Sequence, residues 1–559
     1  MNAKKRFNPL LLAVWFVVSL MLPVILLAFT EKNPLWITVA GILLPLGFYL
    51  SFISLSKRSG RMVWAGFIFV FLSAFQIVLL YLFGNSVIAA DMFLNLLTTN
   101  PSEASELLTN IYPSVILVCA IYLPMLWIAS VHLRNKVEIP AKVRRVMSLS
   151  SCVILLLGGL TIWQGCRGEY KSVLRNDIFP ANAFYNLGLS ISEVYKISQY
   201  DQSSEGFAYK AKRDSVVHHR EVYVLVIGEA SRAANWQLYG YDRVTNPRLS
   251  KRDDLILFRG ITTQSNTTHK SVPMMLSSVH TSQHDELYRR SGIPALFNEV
   301  GFATYFISNQ APQGAMIDNL VSDADHRIYI DAPRYDIELV DKMREVLRSE
   351  PSRKVLFILH TYGSHFSYHQ RYPRQFARFL PEDDVAINPK YIDEIRNAYD
   401  NSILYTDHVI AELIETLEQI PDVCSAMYYC ADHGEDLMDG QDQRFLHSTP
   451  TTTYYQLHVA SFAWFSPIYH KAFADKVKAA KRNGSAPATS YSVFHTMADI
   501  ASISSNYIDT KASLVSSNFD YSIPRYYLDD HNCAVPLDSQ IGIDAMQREL
   551  FRRAGILLD

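Results

Sequence analysis

The chain has 559 residues, which allows about two or three domains with cores of their own. Its 52 basic and 54 acidic residues leave a formal net charge of -2, and this balance argues against nucleic-acid binding, which usually needs a basic patch. The composition changes near residue 164, because long apolar runs dominate before this point and a soluble, globular type of sequence follows it.

Five apolar runs in the first third of the chain are each long enough to cross a bilayer, which takes roughly 20 residues. They lie near 9–29, 35–55, 62–83, 112–133 and 146–164. A cleaved signal peptide would explain the first run alone, but its length and the four further runs favour a membrane domain over 1–164.

The distribution of Lys and Arg predicts how this domain is oriented. Clusters precede the first run and separate the second from the third and the fourth from the fifth, whereas segments 30–34 and 84–111 contain few cations. The positive-inside rule places the three clusters in the cytoplasm. With five spans, everything after residue 165 is then expected outside, in the periplasm or at the cell surface.

The soluble part reads as a linker over 165–220 followed by a domain over 221–559 in which strands and helices alternate. Four short apolar runs are typical of buried parallel strands, and they lie at 222–228, 303–308, 355–360 and 426–432. Helical stretches such as 336–349 and 391–418 lie between them. This order predicts an α/β domain with a mainly parallel sheet, whose ligands bind beyond the carboxyl ends of the strands.

Polar residues stand where these strands end. Glu229 follows the first strand, and Asp432 and His433 follow the last, which together provide the oxygen and nitrogen ligands that zinc accepts. A helix cap and a capped turn are the simpler interpretations of these residues. His365 and His447 follow strand-like segments as well, although a lone histidine is more often structural than a ligand.

The segment NTTHKSVP, residues 266–273, allows three interpretations. Asn266 begins a glycosylation pattern, the segment could be a polar turn, and a threonine in it could be a nucleophile. A threonine hydroxyl is a poor nucleophile at its free pKa, but coordination to a divalent metal can activate it. A zinc ion on Glu229, Asp432 and His433 would leave an open position for such an oxygen.

Five motifs in this order resemble the bacterial phosphoethanolamine transferases: VLVIGEASR, NTTHKSVPMM, LHTYGSHF, NAYDNSILYTDHV and ADHGED. Members of that family are inner-membrane enzymes with a periplasmic domain of the alkaline phosphatase/sulfatase fold. The resemblance implies that Thr268, three residues before the S-x-P motif, is the nucleophile. It further implies that Glu229, Thr268, Asp432 and His433 hold a zinc ion, and that His365 and His447 bind the transferred phosphate or a second zinc.

The segment 91–108 contains Asn95, Thr99 and Glu103 at spacings that place them on one face of a helix. The pattern alone favours an exposed amphipathic connector, whereas the resemblance implies that all three contact the ethanolamine head group. Where the lipid A branch of the family has a Ser and Lys pair, this chain reads SNQAPQGAMID over 308–318, without lysine. This segment is more similar to that of the branch that modifies core sugars or other envelope glycans.

The resemblance implies transfer of phosphoethanolamine from phosphatidylethanolamine to lipopolysaccharide, on lipid A or on the core, through a phospho-threonine intermediate. The added amine would lower the negative surface charge and weaken the attraction of cationic peptides such as polymyxin. A glycerol-phosphate transferase of the lipoteichoic-acid type shares this layout, and a membrane-tethered sulfatase or phosphatase would use water as the acceptor. A non-catalytic envelope sensor is a further alternative, which predicts no zinc.

Overall fold

The computed structural model describes residues 8–31, 33–84, 86–98, 101–166, 168, 170–213, 217–312, 315–331, 335–383, 385, 387–440, 443–537, 545–556 and 558. For residues 98 and 101–110 it describes the backbone alone. The chain forms two compact units, one of Met1–Leu96 with Pro101–Ile191 and the other of Leu97–Asn100 with Ser192–Asp559. The domain boundaries expected at 164 and 220 stay predictions.

The N-terminal part is helical because its apolar residues form runs without strand-like alternation. Its helices are α1 (Pro9–Thr30), α2 (Leu35–Ser54), α3 (Ser59–Ala65), α4 (Phe67–Phe83), α5 (Ala90–Thr98), α6 (Pro101–Arg134), α7 (Ala141–Gly165), α8 (Tyr170–Asn176), α9 (Ala181–Ser198) and α10 (Tyr200–Ser203). Within the described residues, α1, α2, α7 and the Ile111–Arg134 part of α6 are long and apolar enough to cross a membrane. They correspond to four of the five predicted spans.

The third predicted span, near 62–83, is broken. Helices α3 and α4 together are apolar enough to cross, but they are bent by 59° at the single residue between them, Gly66. A side chain at Gly66 would place its Cβ 2.8 Å from the Phe16 ring and 2.9 Å from the Phe52 ring. Glycine therefore allows two aromatic rings to approach the backbone where the helix changes direction.

Helix α9 holds the segment that follows α4. Asn186 Nδ2 donates to the Ile88 carbonyl at 2.7 Å, and Ser190 Oγ donates to the Ala90 carbonyl at 2.6 Å. These bonds satisfy buried backbone carbonyls just before and at the start of α5.

The second unit is an α/β domain. Its strands are β1 (Lys212–Arg213), β2 (Arg220–Gly228), β3 (Ile256–Leu257), β4 (Gly260–Thr262), β5 (Ala303–Ser308), β6 (His326–Tyr329), β7 (Lys354–His360), β8 (Val423–Ala431), β9 (Asp436–Asp439), β10 (Arg444–Leu446), β11 (Ser461–Phe465), β12 (Pro487–Thr489), β13 (Ile503–Ser504), β14 (Tyr526–Leu528) and β15 (Ala534–Pro536). Its helices are α11 (Thr268–Met275), α12 (Ile293–Asn298), α13 (Met316–Leu320), α14 (Ile337–Ser349), α15 (Ile392–Glu418), α16 (Tyr454–Leu457), α17 (Pro467–Ala472), α18 (Ala474–Asn483), α19 (Ser492–Ile500) and α20 (Ala545–Arg553).

A seven-stranded sheet in the order β3-β11-β8-β2-β7-β5-β6 forms the centre of this domain. Strands β8, β2, β7, β5 and β6 run parallel, and β11 and β3 are antiparallel at one edge. The predicted, mainly parallel sheet is thus confirmed. Because Gly228 is paired with Ala431, the residues that follow β2 and β8 leave the sheet side by side.

Helix α15 fixes the loop that leaves β2. The Tyr399 hydroxyl donates to the Ala230 carbonyl at 2.6 Å and accepts from the Arg232 amide at 3.0 Å. Tyr399 is fully buried, so both bonds are shielded from water. The loop that carries Glu229 is therefore held on both sides.

Candidate metal and nucleophile site

Three segments that are distant in the chain meet beyond the carboxyl ends of β2 and β8. Glu229 follows β2, Asp432 and His433 follow β8, and Thr268 begins α11. Ligand atoms of Glu229, Asp432 and His433 lie within 4.8 Å of one another, and all three residues are buried. The structure thus brings together four residues that sequence reasoning selected.

The Thr268 hydroxyl points into this cluster. Its Oγ1 lies 3.1 Å from His433 Nε2 and 3.3 Å from Glu229 Oε2. Ser271, in the next turn of α11, donates to the Asp432 carbonyl and so ties the helix to the end of β8. Thr268 is half-buried, whereas Thr267 is buried and precedes the helix as its N-cap.

Asn266 is not exposed as a glycan acceptor would be. Its side chain is 2% exposed, and Nδ2 donates to the Thr449 carbonyl at 3.0 Å and to Gln456 Oε1 at 2.7 Å. The Tyr527 hydroxyl donates to its Oδ1 at 2.7 Å. Asn266 therefore anchors the loop that carries Thr268, and the glycosylation pattern is coincidental.

The electrostatics of the cluster suit a bound cation. Burial, and for Glu229 also the nearby Asp432 charge, raises the pKa of the Glu229 and Asp432 carboxyls well above their usual range. Asp432 Oδ2 is buried and accepts no hydrogen bond from the described residues. Buried carboxylates with unused oxygens are costly unless a positive charge compensates them. The donor set of two carboxylates, an imidazole and a hydroxyl fits a divalent metal.

The hydrogen bonds of two histidines define which ring nitrogen carries the proton. His433 Nδ1 lies 2.9 Å from the Gly434 carbonyl, and His365 Nδ1 lies 2.6 Å from the Phe366 carbonyl. A carbonyl oxygen can only accept, so Nδ1 donates in both cases and Nε2 keeps its lone pair. Burial lowers the pKa of His433 to about 4 and of His365 to about 3, so both rings are neutral near pH 7.

A second group of possible ligands adjoins the first. Atoms of His433, Glu435 and His447 lie within 4.8 Å of one another, and the His433 and His447 rings are 4.1 Å apart. Glu435 Oε2 lies 3.2 Å from His447 Nδ1, and the Tyr368 hydroxyl donates to Oε1 at 3.1 Å. Burial raises the pKa of Glu435 to about 8.

His365 belongs to the same neighbourhood. Besides burial, repulsion from Arg371, His447 and His433 lowers its pKa. Of the two histidines that were expected to bind phosphate or a second metal, the structure places His447 beside His433, and His365 lies near enough to both for their charges to lower its pKa.

Sequence reasoning missed two residues that contact these ligands. Gln310 Nε2 donates to Glu229 Oε2 at 3.0 Å, and nothing near Gln310 in the sequence indicates this contact. Glu435 lies in the ADHGED motif, but the motif alone did not identify it as a site residue. The available signal was its position, as a second acidic residue two positions after His433, where the chain leaves β8.

The residues expected to contact ethanolamine are only partly described. Asn95 lies half-buried in α5, Thr99 lies outside the described residues, and Glu103 lies in α6 without a described side chain. Their contact with a head group stays a prediction.

Two family models match the chain. One described as sulfatase covers residues 221–503, and one described as phosphoethanolamine transferase EptA/EptB covers residues 42–193. The chain is 27% identical over 471 residues to the Kdo(2)-lipid A phosphoethanolamine 7''-transferase of Escherichia coli (strain K12), which covers 78% of this chain and 80% of that protein. It is 26% identical over 478 residues to phosphoethanolamine transferase EptA of Salmonella typhimurium, covering 80% and 83%.

Solved structures agree with the fold. Integral membrane lipooligosaccharide phosphoethanolamine transferase A from Neisseria meningitidis superposes with a TM-score of 0.73 at 21% identity, covering 90% of this chain and 98% of that one. The C-terminal periplasmic domain of EcEptC from Escherichia coli, in a complex with Zn, has a TM-score of 0.53 at 25% identity and covers 60% and 98%. The predicted combination of membrane helices with a sulfatase-like domain is confirmed.

Proposed function

We propose that this chain, which belongs to the sulfatase family and is a phosphoethanolamine transferase, moves phosphoethanolamine from phosphatidylethanolamine to lipopolysaccharide through Thr268. The family and the enzyme class follow from the matches to both parts of the chain. The observation that carries the chemistry is the Thr268 hydroxyl, which lies 3.1 Å from His433 and 3.3 Å from Glu229.

In the first step Thr268 Oγ1 attacks the head-group phosphorus. A bond forms between that oxygen and phosphorus, the bond from phosphorus to the diacylglycerol oxygen breaks, and this oxygen takes up the proton that the threonine has lost. In the second step an acceptor oxygen attacks the same phosphorus and gives its proton to the departing Oγ1. Thr268 is then regenerated with phosphoethanolamine on the acceptor.

The chain's own residues orient these groups. Glu229 and His433 hold the Thr268 oxygen, and the position of Thr268 at the start of α11 places developing negative charge at the positive end of a helix. We assign one zinc ion to Glu229, Thr268, Asp432 and His433. When bound, it lowers the pKa of the hydroxyl and stabilises the charge of the phosphoryl oxygens.

We assign a second metal to His365 and His447 rather than direct contact with phosphate. Phosphate oxygens accept hydrogen bonds, whereas the Nε2 atom of neutral His365 offers a lone pair. Ligand atoms of Glu435 and His447 lie within 4.8 Å of one another, so a carboxylate beside His447 supports a cation there.

We place the enzyme in the bacterial inner membrane, with the catalytic domain in the periplasm, because the positive-inside rule puts the cation-rich segments in the cytoplasm and five spans then lead to the opposite side. The relatives include an enzyme named for Kdo(2)-lipid A, so lipopolysaccharide is the acceptor class that we propose, on lipid A or on the core. The glycerol-phosphate and hydrolase alternatives are not favoured, since the matched relatives are named phosphoethanolamine transferases.

The test uses cells that carry the wild-type chain, Thr268→Ala, Thr267→Ala or an empty vector. Mass spectrometry of envelope lipids is expected to show a phosphoethanolamine addition with the wild type and with Thr267→Ala, and none with Thr268→Ala. An addition that persists in Thr268→Ala contradicts the nucleophile. Free phosphoethanolamine without a modified lipid indicates a hydrolase, and the site of the addition identifies the acceptor.

A further inference from the structure

A separate cleft lies in the second unit and has a volume of about 440 Å³. Its walls come from the loop after β2, from the segment around α16 and from α20. Among the described residues that line it there is no Thr268, Glu229 or His433. The cleft is therefore distinct from the reaction centre.

Cations dominate the cleft. Four arginines and two aspartates line it, namely Arg232, Arg259, Arg396 and Arg553 with Asp242 and Asp439. Arg553 also pairs with Glu549. Asp439 pairs with Arg232 and lies 3.5 Å from Arg396, so it is already neutralised. Arg259 is exposed, and within the described part of the chain no carboxylate lies within ion-pair distance of it. The lining thus has positive charge available for an anion.

Aromatic rings complete the lining. Tyr239, Tyr241, Tyr454 and Tyr455 all border the cleft. The Arg232 guanidinium lies 4.6 Å from the Tyr455 ring centroid, and that of Arg259 lies 5.7 Å from the Tyr239 ring centroid. Flat aromatic faces beside fixed cations suit a ligand that combines an apolar ring face with a negative group.

The C-terminal wall is packed firmly. Phe551 of α20 is fully buried and lies edge-on to the Tyr454 ring, with centroids 5.0 Å apart. Gln547 Oε1 accepts a hydrogen bond of 2.7 Å from the Tyr454 amide. Helix α20 therefore holds Arg553 at the edge of a preformed cleft.

We propose that this cleft binds a phosphorylated sugar. Guanidinium groups recognise phosphate by charge-assisted, often bidentate hydrogen bonds, and tyrosine rings pack against the flat face of a pyranose. A lipid phosphate shares the anionic group but offers no ring to the tyrosines. Tyr239, Tyr241 and Tyr455, which line the cleft and are partly exposed, favour the sugar.

The role of the cleft rests on the proposed function: it holds a phosphorylated sugar of the acceptor glycan. The cleft also adjoins the reaction centre through Arg232, which lies three residues after Glu229 and donates to the Glu435 carbonyl at 3.0 Å. Binding itself requires no transfer, so it can be measured with the nucleophile removed.

The test uses the full-length Thr268→Ala chain in detergent micelles, titrated with glucose 1-phosphate and followed by ligand-observed NMR. Arg259→Ala and Arg553→Ala, each made in this background, are expected to weaken binding about 10-fold, as loss of one charge-assisted hydrogen bond would. Arg552→Ala is the matched control, because Arg552 pairs with Glu549 as Arg553 does but does not line the cleft.

Glucose, inorganic phosphate and glycerol phosphate are titrated in parallel. The proposal requires glucose 1-phosphate to bind more tightly than all three. Equal binding of glycerol phosphate indicates a lipid head group and overturns it, as does equal weakening by Arg552→Ala or the absence of saturable binding. Because the background lacks Thr268, these outcomes do not depend on whether the proposed transfer reaction is correct.

Discussion

Gln310 holds Glu229 in place through a hydrogen bond of 3.0 Å from Nε2 to Oε2, and the same Nε2 donates to the Thr361 carbonyl at 2.9 Å. Gln310 is buried two residues after the end of β5, and Glu229 follows β2, which is two strands away in the sheet. A neutral donor therefore orients one oxygen of a carboxylate that we assign as a metal ligand. Such partners of metal ligands commonly affect metal affinity.

Gln310→Ala is expected to lower zinc affinity about 10- to 100-fold, because Glu229 loses the donor that fixes its orientation. The measurement is zinc retained by the purified chain during titration with a chelator, read by elemental analysis. Gln370→Ala is the control, since Gln370 is exposed. Equal zinc retention by Gln310→Ala and the wild type would refute this positioning role.

The metal-free protein is expected to lose stability as the pH rises from about 6.5 to about 8. Glu435 titrates near 4.5 when unfolded and about 8 when folded, so its contribution is complete below 4.5 and is lost as the pH rises through 8. The pKa of His433 shifts in the opposite direction, from 6.5 in the unfolded chain to about 4 in the folded one. Its titration therefore increases the stability as the pH rises from about 4 to about 6.5, and changes it little above that range.

Thermal unfolding with a chelator and with zinc, at several pH values in this window, tests that expectation. Bound zinc compensates the ionised carboxylates, so the decrease in Tm with rising pH should be smaller with zinc. Parallel curves with and without zinc would show that the carboxylates are not its ligands.

His447→Ala is expected to remove one of two zinc-binding steps. The variant keeps Glu229, Asp432 and His433 but deletes a nitrogen from the group of His433, Glu435 and His447. Calorimetric titration of the metal-free chain should show two zinc ions per wild-type chain and one per variant chain. A single ion in the wild type would contradict the second metal.

Asp336→Asn is expected to destabilise the fold by about 1–3 kcal/mol, because a buried acceptor of backbone hydrogen bonds would present a donor instead. The Asp336 carboxylate accepts from the backbone amides of Tyr362 and Gly363, both at 2.8 Å, just before His365. Chemical denaturation measures the loss, and Asp323→Asn at an exposed aspartate is the control. Unchanged stability would show that this loop is held by other contacts.

The membrane helices and the central strands could be predicted from composition and periodicity. Each is encoded by its own residues: a run long enough to cross a bilayer, or a short apolar run that ends at a polar residue such as Glu229 or Asp432. The bend at Gly66 could not be predicted from the sequence. An isolated glycine in an apolar run does not reveal that the Phe16 and Phe52 rings pack against it.

In the candidate site, too, some residues could be predicted from the sequence and others could not. Thr268, Glu229, Asp432 and His433 could be selected because each stands in a short motif at a strand or helix end. The burial of Asn266, the contact of Gln310 with Glu229 and the arginine cleft depend on contacts between segments far apart in the chain. No local pattern encodes such contacts, because they arise when parallel strands pair in register and bring their loops to one edge.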